Sequence, residues 1–133
     1  MKKIVISGKR KTAIAKATIG EGNGKITINK KKISSLPKLQ QLELNEPIIL
    51  AKEILGDLKF DISVWVKGGG TSSQIEASRL AIAKAITKYT ENENLKMTYL
   101  SYDRNLLVAD TRRKETRKPG DSKARAMRQT SYR

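Results

Sequence analysis

The chemically active residues of this chain are mostly cations. Its 133 residues include 28 lysines and arginines against 13 aspartates and glutamates, which gives a formal net charge of +15. Such an imbalance favours a polyanionic partner, either a nucleic acid or an acidic membrane surface. The sequence has no histidine and no cysteine, so it lacks the commonest general base, the commonest metal ligand and any thiolate. We therefore expect a binding protein rather than an enzyme, with no metal and no cofactor.

The cations are concentrated in blocks rather than spread evenly. Lys9, Arg10 and Lys11 are adjacent near the start, and residues 111–133 hold nine cations against two carboxylates. The nine are Arg112, Arg113, Lys114, Arg117, Lys118, Lys123, Arg125, Arg128 and Arg133. Arginine outnumbers lysine six to three there, and a guanidinium group pairs with two phosphate oxygens and stacks on bases, as lysine cannot. The segment is therefore predicted to contact an RNA backbone.

A glycine turn forms the third candidate site. Gly68, Gly69 and Gly70 follow directly after Lys67. Three glycines allow a sharp turn from a strand into a helix, and they also let another backbone or a phosphate come close. The turn is not a nucleotide-binding P-loop, because no Gly-Lys-Ser/Thr sequence follows it. A purely structural turn is favoured, with an anion-binding turn as the alternative.

The elements around this turn are the clearest in the sequence. Apolar and polar residues alternate over residues 60–67, which predicts a half-buried strand. The alanine-rich residues 75–89 have apolar positions at helical spacing and predict an amphipathic helix. Ser73 and Glu76 have the spacing of a capping box at its start. Trp65 lies on the polar face of the strand, where packing under a helix is favoured over stacking on a base.

Three further strands are predicted in the first third of the chain. Residues 2–7, 12–19 and 25–29 alternate in apolar character, and the glycines of residues 20–24 predict a hairpin between the last two. The inward face of the second strand carries mainly alanines, which implies that either a helix or an RNA backbone packs closely against it. Residues 30–32, all lysine, are expected in a turn, where solvation and RNA binding are equally good explanations.

Two more helices are predicted on either side of the central strand and helix. Pro37 is expected to keep the segment before Asn45 irregular, and Asn45 is then expected to cap a helix with Pro in its first turn. A shorter helix is predicted over residues 91–102, with Leu95 and Tyr99 facing inward.

A change of composition near residue 111 divides the chain. Residues 1–110 are predicted to form one globular domain, since a chain of this length supports a single core. Residues 111–133 have few apolar side chains to offset their ordering entropy, so an extended basic tail is predicted. Stretched out, the last twenty residues reach about 65 Å at about 3.3 Å each. No segment has the apolar length of a membrane span, and no membrane partner is predicted.

Four sequence blocks resemble those of a known family. They are Gly8-Lys9-Arg10-Lys11-Thr12-Ala13-x-Ala15, Gly22-Asn23-Gly24-Lys25-Ile26-x-Ile28-Asn29, Gly68-Gly69-Gly70-x-x-Ser73-Gln74-x-x-Ala77 and Arg117-Lys118-x-Gly120. In this order, and over essentially the whole chain, they resemble the family of ribosomal small-subunit protein nine. The ending Gln129-Thr130-Ser131-Tyr132-Arg133 resembles the archaeal and eukaryotic branch, whereas many bacterial members end in Ser-Lys-Arg, and the short N-terminus favours the archaeal one.

The resemblance implies a fold and a place in the cell. The fold is α+β, a four-stranded mixed sheet with helices on one face, a left-handed βαβ crossover and an extended basic C-terminal tail. General rules alone would predict a right-handed crossover. The resemblance further implies a structural constituent of the small ribosomal subunit in the cytoplasm, without catalysis or obligate self-association. It would bind ribosomal RNA in the subunit head, beside other head proteins, while its tail contacts the anticodon stem of the peptidyl-site tRNA.

Residues are assigned to these two RNA partners from the charge pattern and the resemblance. Those expected to bind ribosomal RNA are Lys9, Arg10, Lys11, Lys67, Gly68, Gly69, Gly70, Arg112, Arg113, Lys114, Arg117, Lys118, Lys123 and Arg125. Those expected to bind tRNA are Arg128, Tyr132 and Arg133. Tyr132 occupies the position of the bacterial penultimate lysine, so that lysine's contact does not transfer directly.

Two other classes of function stay open from the sequence. A free basic regulator of chromatin type would bind duplex DNA at least as well as RNA. A phosphotransfer enzyme could use the glycine turn, because small-molecule kinases share this superfamily's topology. The second is disfavoured, because the sequence shows no constellation of magnesium ligands or of a general base.

Overall fold

The computed structural model describes residues 2–129 and Tyr132, and it is an α+β fold. The strands are β1 (Ile4–Arg10), β2 (Ala13–Glu21), β3 (Ile26–Ile28), β4 (Lys31–Lys32) and β5 (Phe60–Lys67). The helices are α1 (Lys38–Leu55), α2 (Thr71–Thr90) and α3 (Glu93–Tyr102), with short 3-10 turns at Ile33–Ser35 and Arg104–Leu106. Within the described residues, no helix combines the length and hydropathy needed to span a membrane.

The sheet is mixed, as predicted, but it has five strands rather than four. Its order is β1-β2-β5-β3-β4, with β3 parallel to β5 and every other pair antiparallel. The extra strand arises in the lysine run, because Asn29 and Lys30 both take positive φ and turn the chain back on itself. Lys31 and Lys32 then pair with the end of β3. The predicted turn is therefore real, but it occupies one residue of the run rather than three.

The predicted hairpin over residues 20–24 is wrong, because β5 lies between β2 and β3. The glycine segment instead crosses the end of β5, where Asp61 holds it. One carboxylate oxygen of Asp61 accepts hydrogen bonds from the backbone N–H groups of Asn23 (2.9 Å) and Lys25 (2.8 Å). The bond from Lys25, more than any other contact, lowers the pKa of the Asp61 carboxyl. The backbone N–H groups of Gly22 and Gly24 also donate to the carbonyls of Lys59 and Phe60, so the segment is a crossing loop fixed by a carboxylate and by the backbone.

The first helix begins earlier than predicted. Pro37 directly precedes α1 with a φ of −54°, so its ring sits outside the helix and does not block it. Pro47 lies inside α1 rather than in its first turn, and Asn45 is no N-cap. A proline removes one N–H group from the helix ladder, but here the helix continues because its buried stripe packs against α2. The stripe consists of Leu44, Pro47, Ile48 and Ala51. Between β3 and β5, α1 provides the crossover of the parallel pair.

Helix α2 covers one face of the sheet very closely. Ala13, Ala15 and Ala17 of β2 are completely buried there. A Cβ placed on Gly8 of β1 would stand 2.5 Å from the carbonyl oxygen of Ala77. The alanine face therefore packs against a helix and not against RNA. The predicted capping box is wrong, since α2 begins at Thr71 with no side-chain cap.

Helix α3 confirms the prediction for residues 91–102. Leu95 and Tyr99 are fully buried, and Asn92 caps the helix by accepting hydrogen bonds from two backbone N–H groups. The Tyr99 hydroxyl donates to the carbonyl oxygen of Pro47 at 2.7 Å, and burial raises the pKa of this phenol. This bond ties α3 to the middle of α1.

Candidate nucleic-acid interface

Three segments far apart in sequence meet at one end of the sheet. The register places Ile14 opposite Lys67, so the β1–β2 turn lies beside the glycine turn. The chain leaves the globular domain at the same place, because the Arg113 guanidinium donates a hydrogen bond to the carbonyl of Lys11. We call this region the basic end. It comprises Lys9, Arg10, Lys11, Lys67, Gly68, Gly69, Gly70, Arg112 and Arg113.

The lysines of the basic end are exposed and free to meet an anion. Lys9 and Lys67 flank Ile14 in one row across β1, β2 and β5. Lys11 lies in the turn between the first two of these strands, with a φ of 52°. All three side chains are exposed, and none of them forms an ion pair with another residue in the described part of the chain. They present a compact positive patch, as phosphate binding requires.

Arg10 differs from its lysine neighbours. Its side chain is only 14% exposed, and Nε donates to the Glu76 carboxylate at 2.6 Å. Its Nη1 atom lies 3.4 Å from the Asp110 carboxylate, and Arg112 donates a hydrogen bond to the same carboxylate at 2.8 Å. The hydrogen bonds from Arg112 are the main reason that the pKa of Asp110 falls to about 2. Arg10 was expected to touch RNA directly, but its place in this cluster suits it better to fix where the tail leaves the domain.

Backbone conformation and packing within the protein require the first two glycines of the glycine turn. Gly68 has a φ of +81°, and a Cβ there would stand 2.7 Å from the carbonyl oxygen of Thr12. Gly69 has a φ of +67°, and a Cβ there would stand 3.0 Å from the backbone nitrogen of Ala13. Gly70 has neither feature, since no atom lies within 4 Å of its Cβ position. The close approach of the β1–β2 turn thus supports the structural explanation of the motif.

The cations of the described part of the tail are exposed to solvent. Residues 111–129 form no helix or strand, and the side chains of residues 111–120 are all exposed. Arg125 pairs with Glu115 at 2.6 Å, which lowers the pKa of that carboxyl. Arg128 donates from Nε to the carbonyl of Gly120 at 2.6 Å. Four tail cations have side chains with neither an ion pair nor a hydrogen bond to another described residue: Lys114, Arg117, Lys118 and Lys123.

The tRNA-binding prediction falls partly outside the described residues. Arg128 and Tyr132 are exposed, so both are accessible to a partner. Arg133 lies outside the described residues. The structure therefore does not bring the three together, and the assignment stays a prediction.

Sequence reasoning missed the open face of the sheet. Trp65 was expected under a helix, yet it is 57% exposed on the face opposite α2. Lys16 lies directly opposite it on β2 and is also exposed. The signal was present in the alternation of residues 60–67, which puts Trp65 on the same face as Ser63 and Lys67. Since the helices lie on one face only, the other face is left to solvent.

Catalytic or metal chemistry finds no support in the described part of the chain. No group of three or more Asp, Glu, His or Cys side chains there is arranged to hold a metal ion. The depression beside the basic end, about 340 Å³ in volume, is lined by five carboxylates, and all of them except Glu43 pair with an arginine. Arg79 is the clearest case, because it pairs with Glu46 and, at 3.3 Å, with Asp103. These contacts join α1, α2 and the end of α3.

Comparison with known proteins gives a consistent result. The sequence model of the family described as "Ribosomal protein S9/S16" matches residues 8–133. The "Small ribosomal subunit protein uS9" of Methanococcus vannielii is 54% identical, and the alignment covers 100% of both chains. The protein of the same description from Methanococcus maripaludis is 52% identical, again over 100% of both chains. Both organisms are archaea, which agrees with the branch predicted from the sequence.

Proposed function

The chain belongs to the ribosomal protein S9/S16 family, and from that membership we propose how its surfaces act within the small ribosomal subunit. The protein is a structural, non-catalytic constituent of that subunit in the cytoplasmic ribosome. Its basic end binds ribosomal RNA in the subunit head, beside neighbouring head proteins. Its tail continues through RNA toward the peptidyl-tRNA site.

One observation carries this proposal: the basic residues converge in space although they are distant in sequence. Lys9 and Lys11 from the β1–β2 turn, Lys67 from β5 and the start of the tail form one exposed positive region. A structural charge network would bury or pair these cations, as it does for Arg10 and Arg79. Unpaired and clustered cations are what phosphate binding with counterion release requires.

The tail extends the same chemistry away from the domain. The Arg10–Asp110–Arg112 cluster holds its root, and the side chains of Lys114, Arg117, Lys118 and Lys123 are exposed. A stretched tail reaches about 65 Å from that root. Ribosomal RNA contacts by Lys114, Arg117, Lys118, Lys123 and Arg125 would order it, and Arg128, Tyr132 and Arg133 would then meet tRNA phosphates in the anticodon stem.

Sedimentation of cell lysate through a sucrose gradient tests the RNA-binding surface. We expect the wild-type chain to co-migrate with small subunits at moderate and at high salt. A variant with Lys9, Lys11 and Lys67 changed to Gln should dissociate at lower salt. The matched control changes Lys30, Lys31 and Lys32 to Gln, which removes the same three charges from exposed lysines at β4, the edge strand farthest from β1.

Each result of this experiment has a clear meaning. Equal salt sensitivity of the two variants would show that total charge matters and the basic end does not. Migration of the wild-type chain at the top of the gradient would favour a free nucleic-acid regulator, to be checked by comparing duplex DNA with RNA.

Removing residues 129–133 tests the division between domain and tail. The truncated chain should still enter small subunits, whereas tRNA binding in the peptidyl site should weaken. Failure of the truncated chain to assemble would contradict this division of roles.

A further inference from the structure

The open face of the sheet carries an exposed aromatic ring among cations. Trp65 is the only tryptophan in the chain, and it is 57% exposed opposite the helical face. We propose that Trp65 is a stacking platform for an unpaired base of RNA, with Lys16 and Lys67 binding the flanking phosphates. Nothing in the resemblance or the relatives assigns a role to Trp65 or Lys16.

The strand register puts the three side chains in a suitable arrangement. Lys16 is the direct cross-strand partner of Trp65, so the two strands separate them by about 5 Å. Lys67 follows two residues later on the same face of β5, about 7 Å farther along. A shallow depression of about 400 Å³ lies over them, a volume typical of small-ligand sites. It is lined by Thr12, Ile14, Lys16, Trp65, Lys67 and Gly68.

The charges on this face favour a nucleic acid over a protein as its occupant. The exposed ionisable groups around the ring are Lys9, Lys16 and Lys67, all cations. The nearest carboxylate on this face of β5 is Asp61, which is at the far end of the strand and already accepts hydrogen bonds from two backbone N–H groups. A protein cover would have to desolvate these lysines, whereas an RNA strand supplies a phosphate for each and a base for the ring.

The platform is continuous with the basic end. Lys67 and Gly68 belong both to the basic end and to the lining of the depression. A single RNA strand bound at the basic end can therefore pass over Trp65 without a break. This inference rests on the proposed function, because it needs RNA at the basic end.

Tryptophan fluorescence of the intact wild-type chain tests the proposal directly, since Trp65 is its sole tryptophan. The probes are a single-stranded oligoadenylate, an abasic oligonucleotide of equal length and an RNA duplex. We expect the oligoadenylate to quench the emission strongly, because a stacked base contacts the indole ring. The abasic strand and the duplex should bind through their phosphates with little quenching.

Affinity measurements on variants give an independent readout. Trp65→Ala should weaken oligoadenylate binding by about 5-fold to 140-fold, from about 1–3 kcal/mol per stacked base, and should leave binding of the abasic strand unchanged. Trp65→Phe should keep most of the affinity. The matched control is Tyr102→Ala, which removes an aromatic side chain of similar exposure, 55%, from α3 on the helical side.

The outcomes separate this inference from the function on which it rests. If the chain binds all three probes but the emission is unchanged and Trp65→Ala binds like wild type, the platform is refuted and the basic end stands. If the chain binds no probe, RNA binding itself fails and the platform fails with it. In assembled subunits, a crosslink from Trp65 to a protein rather than to RNA, identified by mass spectrometry, would indicate an apolar protein cover and would also overturn the proposal.

Discussion

Replacing Gly68 by alanine decides whether the protein or the RNA requires the glycine turn. Gly68 adopts a φ of +81°, and an added Cβ would lie 2.7 Å from the Thr12 carbonyl oxygen. A left-handed conformation costs a residue with a Cβ roughly 1–2 kcal/mol. The collision with rigid backbone adds about 1–3 kcal/mol, the usual range for overpacking. We therefore expect Gly68→Ala to lower the free energy of unfolding by about 2–5 kcal/mol.

The same motif supplies a matched control in Gly70→Ala. Gly70 has an ordinary φ of −88°, and no atom lies within 4 Å of its Cβ position. This substitution should lower the free energy of unfolding by at most about 1 kcal/mol, because Gly70 is the N-cap of α2 and alanine is a poorer N-cap. Urea denaturation followed by far-ultraviolet circular dichroism, without RNA, measures both variants. Thermal scans should agree, at roughly 3–6 °C of Tm per kcal/mol in a domain of this size.

Equal stability of the two variants would refute the structural explanation of the turn. The glycines would then have to be explained by the approach of RNA, and Gly68→Ala should instead weaken binding in a folded protein. Conversely, if the Gly70→Ala variant is stable but binds RNA more weakly, the result would indicate that an RNA phosphate binds at the start of α2.

Three more predictions follow from single features. Removing residues 111–133 should reduce the slope of log K for single-stranded RNA against log salt by about 6, because nine cations contribute about 0.7 each. Filter binding at several salt concentrations measures this slope. A change of about 1 or less would show that the tail does not bind RNA phosphates. The Asp110 carboxyl should titrate near pH 2 by NMR rather than at its ordinary pKa of 3.8, and Arg112→Ala should raise this pKa. Because the pKa is lowered in the folded state, the stabilisation is complete above pH 3.8 and is lost as the pH falls toward 2; an unshifted titration in the wild type would contradict the cluster. Tyr99→Phe should lower the free energy of unfolding by about 1 kcal/mol, because it deletes the buried bond to Pro47; unchanged urea unfolding would argue against that bond.

Local periodicity predicted the elements whose packing it directly reports. The alternation of residues 60–67, the stripe of α2 and the inward positions Leu95 and Tyr99 all appear in the structure. Each pattern records which side chains face the core, and that information lies within a few residues. The boundary signals were weaker, because Ser73 and Asn45 have capping chemistry but lie inside helices.

Topology was harder to predict because it depends on partners distant in sequence. The residues 20–24 contain no signal that β5, more than thirty residues later in the chain, lies between β2 and β3 in the sheet. The candidate site shows the same limit. The blocks at residues 9–11, 67–70 and 112–113 were each recognised by charge or glycine content, but only the strand register and the Arg113 contact bring them together. Trp65 was misplaced because the apolar character of the indole was given more weight than the polar residues Ser63 and Lys67 on the same face, which indicate the solvent side.

The fixed root of the tail gives the folded domain control over direction as well as attachment. Asp110 is held from two sides, by Arg10 of the sheet and by Arg112 of the tail itself. Because the tail has no helix or strand, this cluster sets the point and the initial direction from which the chain leaves the domain, and not the position of the far end. A substitution at Arg10 would therefore loosen the starting point while leaving every cation of the tail in the chain. The loosened tail would sample a wider region, so each RNA contact would cost more ordering entropy.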